Sequence, residues 1–164
     1  MIENKISIEG DETAKVLRGA MGHRATWMGL IYKKACEAGK GAEAEKIIQA
    51  AIAATGQFQG AAIKKACNPD DLREYEAAFL NKHLETAFEM KLTATKDRLD
   101  MEFHYCPLLK AWQDLGFADA TCAKLCELAM EGDRNVAATM GYGFHLGDTI
   151  AKGCKTCEIS FFKK

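Results

Sequence analysis

The sequence predicts an α+β fold, with a helical N-terminal half packed on a four-stranded antiparallel sheet formed by the C-terminal half. Two observations carry this. Apolar residues recur at spacings of three and four through the first half, and after His83 the recurrence switches to every second residue in two adjacent runs. At 164 residues the chain is expected to be a single domain over 1–164, large enough to bury one core without metals or disulfides. Helices are expected at about 11–82, and the sheet with two inserted helices at about 84–164.

Residues 20–38, AMGHRATWMGLIYKKACEA, place Trp27, Leu30, Ile31 and Ala35 on one face and stop at Gly39 and Gly41. Residues 43–54 repeat the pattern with Ile47, Ile48, Ala51 and Ile52 and end at Gly56; a shorter segment follows at 58–66. In NPDDLREYEAAFLNK, Asn68 is the expected N-cap, Pro69 suits the first turn, and Asp70 and Asp71 lie near the positive end of the helix dipole. Leu72, Tyr75 and Phe79 form its apolar stripe.

In TAFEMKLTAT, Phe88, Met90, Leu92 and Ala94 alternate with Glu89, Lys91 and Thr93. In RLDMEFHYC, Leu99, Met101, Phe103 and Tyr105 alternate with Asp100, Glu102 and His104. With Lys96 and Asp97 at the turn, this is an antiparallel hairpin with one buried face, and His104 and Cys106 share the other. Pro107 ends the strand and opens a short helix that stops at Gly116. Asp119 caps a further helix carrying Cys122, Leu125, Cys126 and Ala129 on one face, and strands at 144–150 and 156–162 complete the sheet.

The chain is 48% hydrophobic and 27% charged, with 22 basic and 23 acidic residues and a net charge of -1. That balance gives no basic footprint for nucleic acid or an anionic membrane. No apolar run reaches a membrane span, and the N-terminus, MIENKISIEGDETAK, lacks a signal-peptide design, so a cytoplasmic location is expected. In a reducing compartment, seven cysteines point to metal ligation, thiol chemistry or packing rather than a disulfide framework.

Cys106, at a strand end just before a helix N-terminus, is the best-placed nucleophile, because the dipole there lowers a thiol pKa. It equally suits a small apolar plug. Cys122 and Cys126 are four apart on an apolar helix face, where cysteine is ordinary filling. Cys154 and Cys157 have the spacing of half a zinc knuckle but no close second pair. The period of two turns Cys157 inward with Ile159 and Phe161, and turns Glu158 to the opposite face. Glu131 and Asp133 read as a solvated cluster near a helix end, and His145 stands on a strand. No phosphate loop, dinucleotide fingerprint, zinc-protease helix or calcium loop is present.

The segments FHYCPLLKAW, LCELAMEGDRN and TIAKGCKTCEISFF, in that order, resemble the family named for L-2-amino-thiazoline-4-carboxylic acid hydrolase. The resemblance implies a hydrolase of non-peptide carbon–nitrogen bonds that opens a small cyclic amidine. It marks Cys106 with Pro107, Cys126, and Cys157 followed by Glu158. Cys154 falls outside the pattern, and FHLGD before Thr149 is less basic and Thr-rich than the family's strand. A looser similarity to vinyl-reductase-type sensor domains, some of which hold zinc through cysteines, implies a different class of function.

Two readings follow. In the first, Cys106 is a nucleophile, or a ligand of a metal that activates water, with His104 or His145 as base and Asp133 or Glu158 orienting it. In the second, the chain is a non-catalytic small-molecule-binding domain, able to form a homodimer, with zinc on Cys106, Cys126 and Cys157.

Overall fold

Two long helices lead the chain in the computed structural model, which describes residues 2–164. They are α1 (Glu12–Glu37) and α2 (Gly41–Ala66), followed by the short helices α3 (Leu72–Phe79) and α4 (Lys82–Phe88). The hairpin β1 (Met90–Ala94) and β2 (Arg98–Phe103) comes next, then α5 (Pro107–Asp114), α6 (Asp119–Ala129) and α7 (Glu131–Met140). Strand β3 (Tyr142–Leu146), a 3₁₀ turn at Ile150–Lys152 and β4 (Cys157–Lys163) complete the fold. The α+β architecture and the four-stranded antiparallel sheet are as the sequence predicts.

Helix α1 starts well ahead of residue 20, because the Asp11 carboxylate caps it by accepting the Ala14 N–H at 2.8 Å. Its inward face is built from small residues, Ala14, Ala25 and Gly29, which let it lie close to α5. The buried Trp112 indole of α5 donates to the Ala25 carbonyl at 2.9 Å across that contact. The Trp27, Leu30 and Ile31 stripe therefore faces outward, with Trp27 63% exposed.

The two segments expected at 43–54 and 58–66 are one helix. Gly56 and Gly60 do not stop α2; they admit α7. A Cβ on Gly56 would stand 2.3 Å from the Gly132 carbonyl oxygen, and one on Gly60 would stand 2.8 Å from Thr139 Cβ. Close helix packing outweighs the roughly 1 kcal/mol that glycine costs within a helix.

A helix, α4, continues through Phe88, the residue from which the alternation suggested strand. Asn81 caps it through the Leu84 N–H, and Glu89, in the left-handed region at φ 53°, ends it, so β1 begins only at Met90. Three helices, not two, are inserted between the hairpin and β3. Glu131 and Asp133, expected as a solvated cluster near the end of a helix, occupy the first turn of α7, where acidic residues suit the dipole.

The strand order is β1-β2-β4-β3 with every pairing antiparallel. Leu99, Met101, Ile159, Phe161 and Tyr142 form the sheet's inner face, packed on Leu72 and Tyr75 of α3 and on Val136 and Met140 of α7. A second cluster joins Ala25, Ile48, Leu109, Trp112, Cys122, Leu125 and Ile150, and so ties α1 and α2 to α5 and α6. Each large side chain fully buried in these clusters contributes ~1.5–3 kcal/mol relative to exposure. No helix among the described residues is long and apolar enough to cross a membrane.

Candidate functional site

The strand-to-helix junction holds Cys106 as the N-cap of α5, with Pro107 in the first turn. Its Sγ accepts the Leu109 N–H at 3.5 Å. The dipole acts in the expected direction, yet burial outweighs it. Desolvation pushes the Cys106 thiol up, and the N–H groups of Leu108 and Leu109 offset this only in part. Cys106 therefore rests as a thiol, not as the thiolate its position suggests.

Cys106, Cys126 and Cys157 pack on the same apolar cluster. Burial raises Cys126 most, with Cys106 and Cys157 adding to it. Cys157 is pushed up to about 12 by burial and then by Cys106, while the Ile150 N–H, 3.2 Å from its sulfur, works the other way. The inward orientation expected for Cys157 agrees with this environment. Thr149, beside Ile150, is 1% exposed and its hydroxyl has no hydrogen-bond partner in the structure. All seven cysteines are free.

Cys106, Cys126 and Cys157 share one cluster, and each of the latter two is raised further by a neighbouring thiol. Among the described residues, no group of three or more His, Cys, Asp or Glu side chains is arranged to hold a metal ion. Cys154 lies between the 3₁₀ turn and β4 and adds no ligand set with Cys157.

The other sequence candidates are dispersed. Strand alternation puts Glu102, Glu158 and His145 on the face of the sheet opposite Met101, Ile159 and Phe144, away from α5 and α6. His104 lies just past the end of β2, and its Nε2 stands 2.6 Å from Glu102 Oε1, without hydrogen-bond alignment. The expected shared face of His104 and Cys106 does not form, because β2 ends at Phe103 and the chain turns before Cys106.

Asp133 is a better acid–base candidate than the sequence suggests. Instead of lying in a solvated cluster it sits on the face of α7 that carries Val136, Ala137 and Met140. Burial pushes its carboxyl up to about 6, against its own backbone N–H and the charges of Arg24 and Arg134. It also acts on Tyr75, a fully buried phenol with no hydrogen-bond partner for its hydroxyl.

Two surface depressions flank this region. One, of about 610 Å³, lies between Ile2 and Glu3, the N-terminal part of α6 (Asp119, Ala123) and the 3₁₀ turn (Lys152). Ile2 and Ala151 belong both to its wall and to the cluster that holds the three thiols. The other, of about 340 Å³, runs between α1 and α5 past Tyr105 and Pro107, the two neighbours of Cys106.

Asn4 and Thr149 are the residues that sequence reasoning missed, and Tyr75 was read only as part of an apolar stripe. Thr149 opens the segment TIAKGCKTCEISFF, so its position was a usable signal; Asn4 lies in a stretch without any periodicity. The family model described as L-2-amino-thiazoline-4-carboxylic acid hydrolase matches residues 18–161. No curated protein and no solved structure matches the chain.

Proposed function

The chain belongs to the L-2-amino-thiazoline-4-carboxylic acid hydrolase family, and on that premise we propose that it hydrolyses a non-peptide carbon–nitrogen bond, opening a small cyclic amidine such as 2-aminothiazoline-4-carboxylate. Cys106 is the nucleophile. The observation that carries this is its place at the head of α5, where the Leu108 and Leu109 N–H groups favour negative charge on sulfur as it develops. His145 lies on the sheet face opposite Phe144 and Ile159, and the His104 ring stands against Glu102, so in this reading the substrate's own basic amidine takes the thiol proton. The thiolate then adds to the amidinium carbon, and the ring carbon–nitrogen bond breaks, its nitrogen leaving as an amine that keeps the proton taken from the thiol and gains a second from the exocyclic amino group. Water adds to the carbon held on Cys106, the carbon–sulfur bond to Cys106 breaks, and the opened product leaves with the thiol restored.

The depression beside Ile2 and Lys152 is the assigned entry, with the Lys152 ammonium facing the substrate carboxylate. Asp133 stands on the face of α7 that packs on the Tyr75 cluster rather than on the thiol cluster, and takes no part in this ring opening. Purified protein should open 2-aminothiazoline-4-carboxylate, Cys106→Ala should abolish turnover, and Cys154→Ser should retain it. Binding of the amidine without turnover would favour the non-catalytic binding domain. About one zinc per untagged chain, lost together with Cys106, would replace the thiol nucleophile with metal chemistry.

The homodimer compatible with the sequence would use the outward face of α1 and α2. Trp27, Ile31, Ile47 and Phe58 are each more than half exposed there, Phe58 at 79%. Ala25 of α1 and Ile48 of α2 enter the same core cluster, so the opposite faces of both helices turn away from the same body. Covering two aromatics and their aliphatic neighbours removes on the order of 500 Å² from water, the scale of the apolar part of an ~800 Å² per-partner interface. Light scattering should give twice the chain mass, and Trp27→Glu with Phe58→Glu should return the monomer; a wild-type monomer at high concentration removes this assignment.

A further inference from the structure

We infer that the N-terminal segment is a wall of the thiol site and that Asn4 is a positioning residue for Cys106, an inference that rests on the reading of Cys106 as the reactive group. The Asn4 side chain holds both backbone groups of Cys106, a residue 102 positions later in the chain. Its Oδ1 accepts the Cys106 N–H at 2.9 Å, and its Nδ2 donates to the Cys106 carbonyl at 2.9 Å. Asn4 is only 8% exposed, so water competes poorly for this pair. Two bonds from one planar amide fix the backbone at Cys106, and with it the point from which the sulfur reaches the Leu109 N–H.

The same segment is tied at two more places. Gln113 donates to the Ile2 carbonyl at 2.8 Å, and the Glu89 carboxylate accepts the N–H groups of Ser7 and Ile8 at 2.8 and 3.0 Å. Residues 2–8 thus form a strap held by side chains, without helix or strand of its own. Ile2 packs on the thiol cluster and, with Glu3, walls the larger depression, so the strap stands between solvent and the sulfurs. An asparagine is the side chain that serves this role, since aspartate keeps the acceptor and loses the donor.

The experiment measures alkylation of the full chain by iodoacetamide across a pH series, read cysteine by cysteine by peptide mass spectrometry. Cys36, exposed, and Cys122, fully buried, are internal controls. In Asn4→Ala the Cys106 rate should rise roughly ten-fold or more, as for a site whose local opening has become easier, and its pH midpoint should fall as burial is relieved. Cys36 and Cys122 should keep their wild-type rates, and Asn4→Asp should lie between. If Asn4→Ala does not fold, Gln113→Ala loosens the same strap at Ile2 and should move Cys106 in the same direction.

An unchanged Cys106 rate and midpoint would overturn the inference, as would Cys106 and Cys122 rising together, the mark of general loosening. A wild-type chain inert toward cyclic amidines, with Cys106 labelling that responds as described, removes the substrate reading and leaves the positioning role. A hydrolase whose Cys106 labelling ignores Asn4 does the reverse.

Discussion

Gly56 of α2 and Gly132 of α7 meet backbone to backbone, so close that a Cβ on Gly56 would fall 2.3 Å from the Gly132 oxygen. Gly56→Ala should therefore destabilise the protein even though alanine is the better helix former. Overpacking costs ~1–3 kcal/mol, against a propensity gain of ~1 kcal/mol. Urea unfolding decides it, and a stabilised variant would show that α7 can retreat at little cost.

Asp133 makes stability fall as pH rises. Its folded pKa of about 6 lies above that of an unfolded aspartate, so the native state keeps a proton that the unfolded chain gives up. The carboxyl's contribution is complete below the unfolded value of ~3.9 and is lost as pH climbs through about 6. Asp133→Asn should flatten that slope and raise stability at pH 7 by up to ~2 kcal/mol. Thermal unfolding from pH 4 to 8 measures it, and an unaltered slope would place the titration elsewhere.

Glu89 acts in the opposite sense. Burial alone would raise its pKa, but the N–H groups of Ile8 and Ser7, the Ser7 hydroxyl and Arg18 outweigh it and hold the carboxylate below its ordinary value. This stability is present above the unfolded pKa of ~4.3 and disappears as pH falls through the folded one. Glu89→Gln leaves the largely buried Arg18 guanidinium with backbone carbonyls but no countercharge, at a cost of about 3 kcal/mol. It should also speed hydrogen exchange at the Ser7 and Ile8 amides; unaltered exchange there would mean that the strap is held without it.

The two tryptophans give a simple optical check. Trp112 is 1% exposed and Trp27 is 63% exposed. In the isolated chain Trp27→Phe should remove the red-shifted emission that acrylamide quenches and leave a blue, protected signal from Trp112. If Trp27 is shielded in the wild type, quenching should appear only on dilution or in a monomeric variant.

The period of the apolar residues made the overall architecture legible. It failed where one local signal had two meanings. Gly56 and Gly60 carry the same letter as a helix stop, and only the presence of α7, some seventy residues later, makes them contact points. The Trp27 stripe is apolar at helical spacing, but periodicity does not say which face turns inward, and the small residues Ala14, Ala25 and Gly29 won that side. At the site, alternation correctly turned Cys157 inward and Glu158 outward. It could not foresee that β2 stops at Phe103, which parts His104 from Cys106, nor that Asp133 belongs to a third inserted helix. Asn4 was invisible because a strap held by side-chain hydrogen bonds has no period.

The strand order has a kinetic consequence. Strands β1 and β2 are joined by a short turn and can pair on their own, but β2 and β3 never touch; β4 lies between them. The β2–β4 ladder joins Arg98 to Phe162 and Phe103 to Cys157, which demands closure of a long loop that already holds three helices. Until that ladder forms, the sheet is two separate ribbons and the sulfurs of Cys106 and Cys157 have no reason to be neighbours. The topology thus predicts that the thiol cluster assembles late in folding, so that its appearance would report completion of the native state and not collapse of the chain.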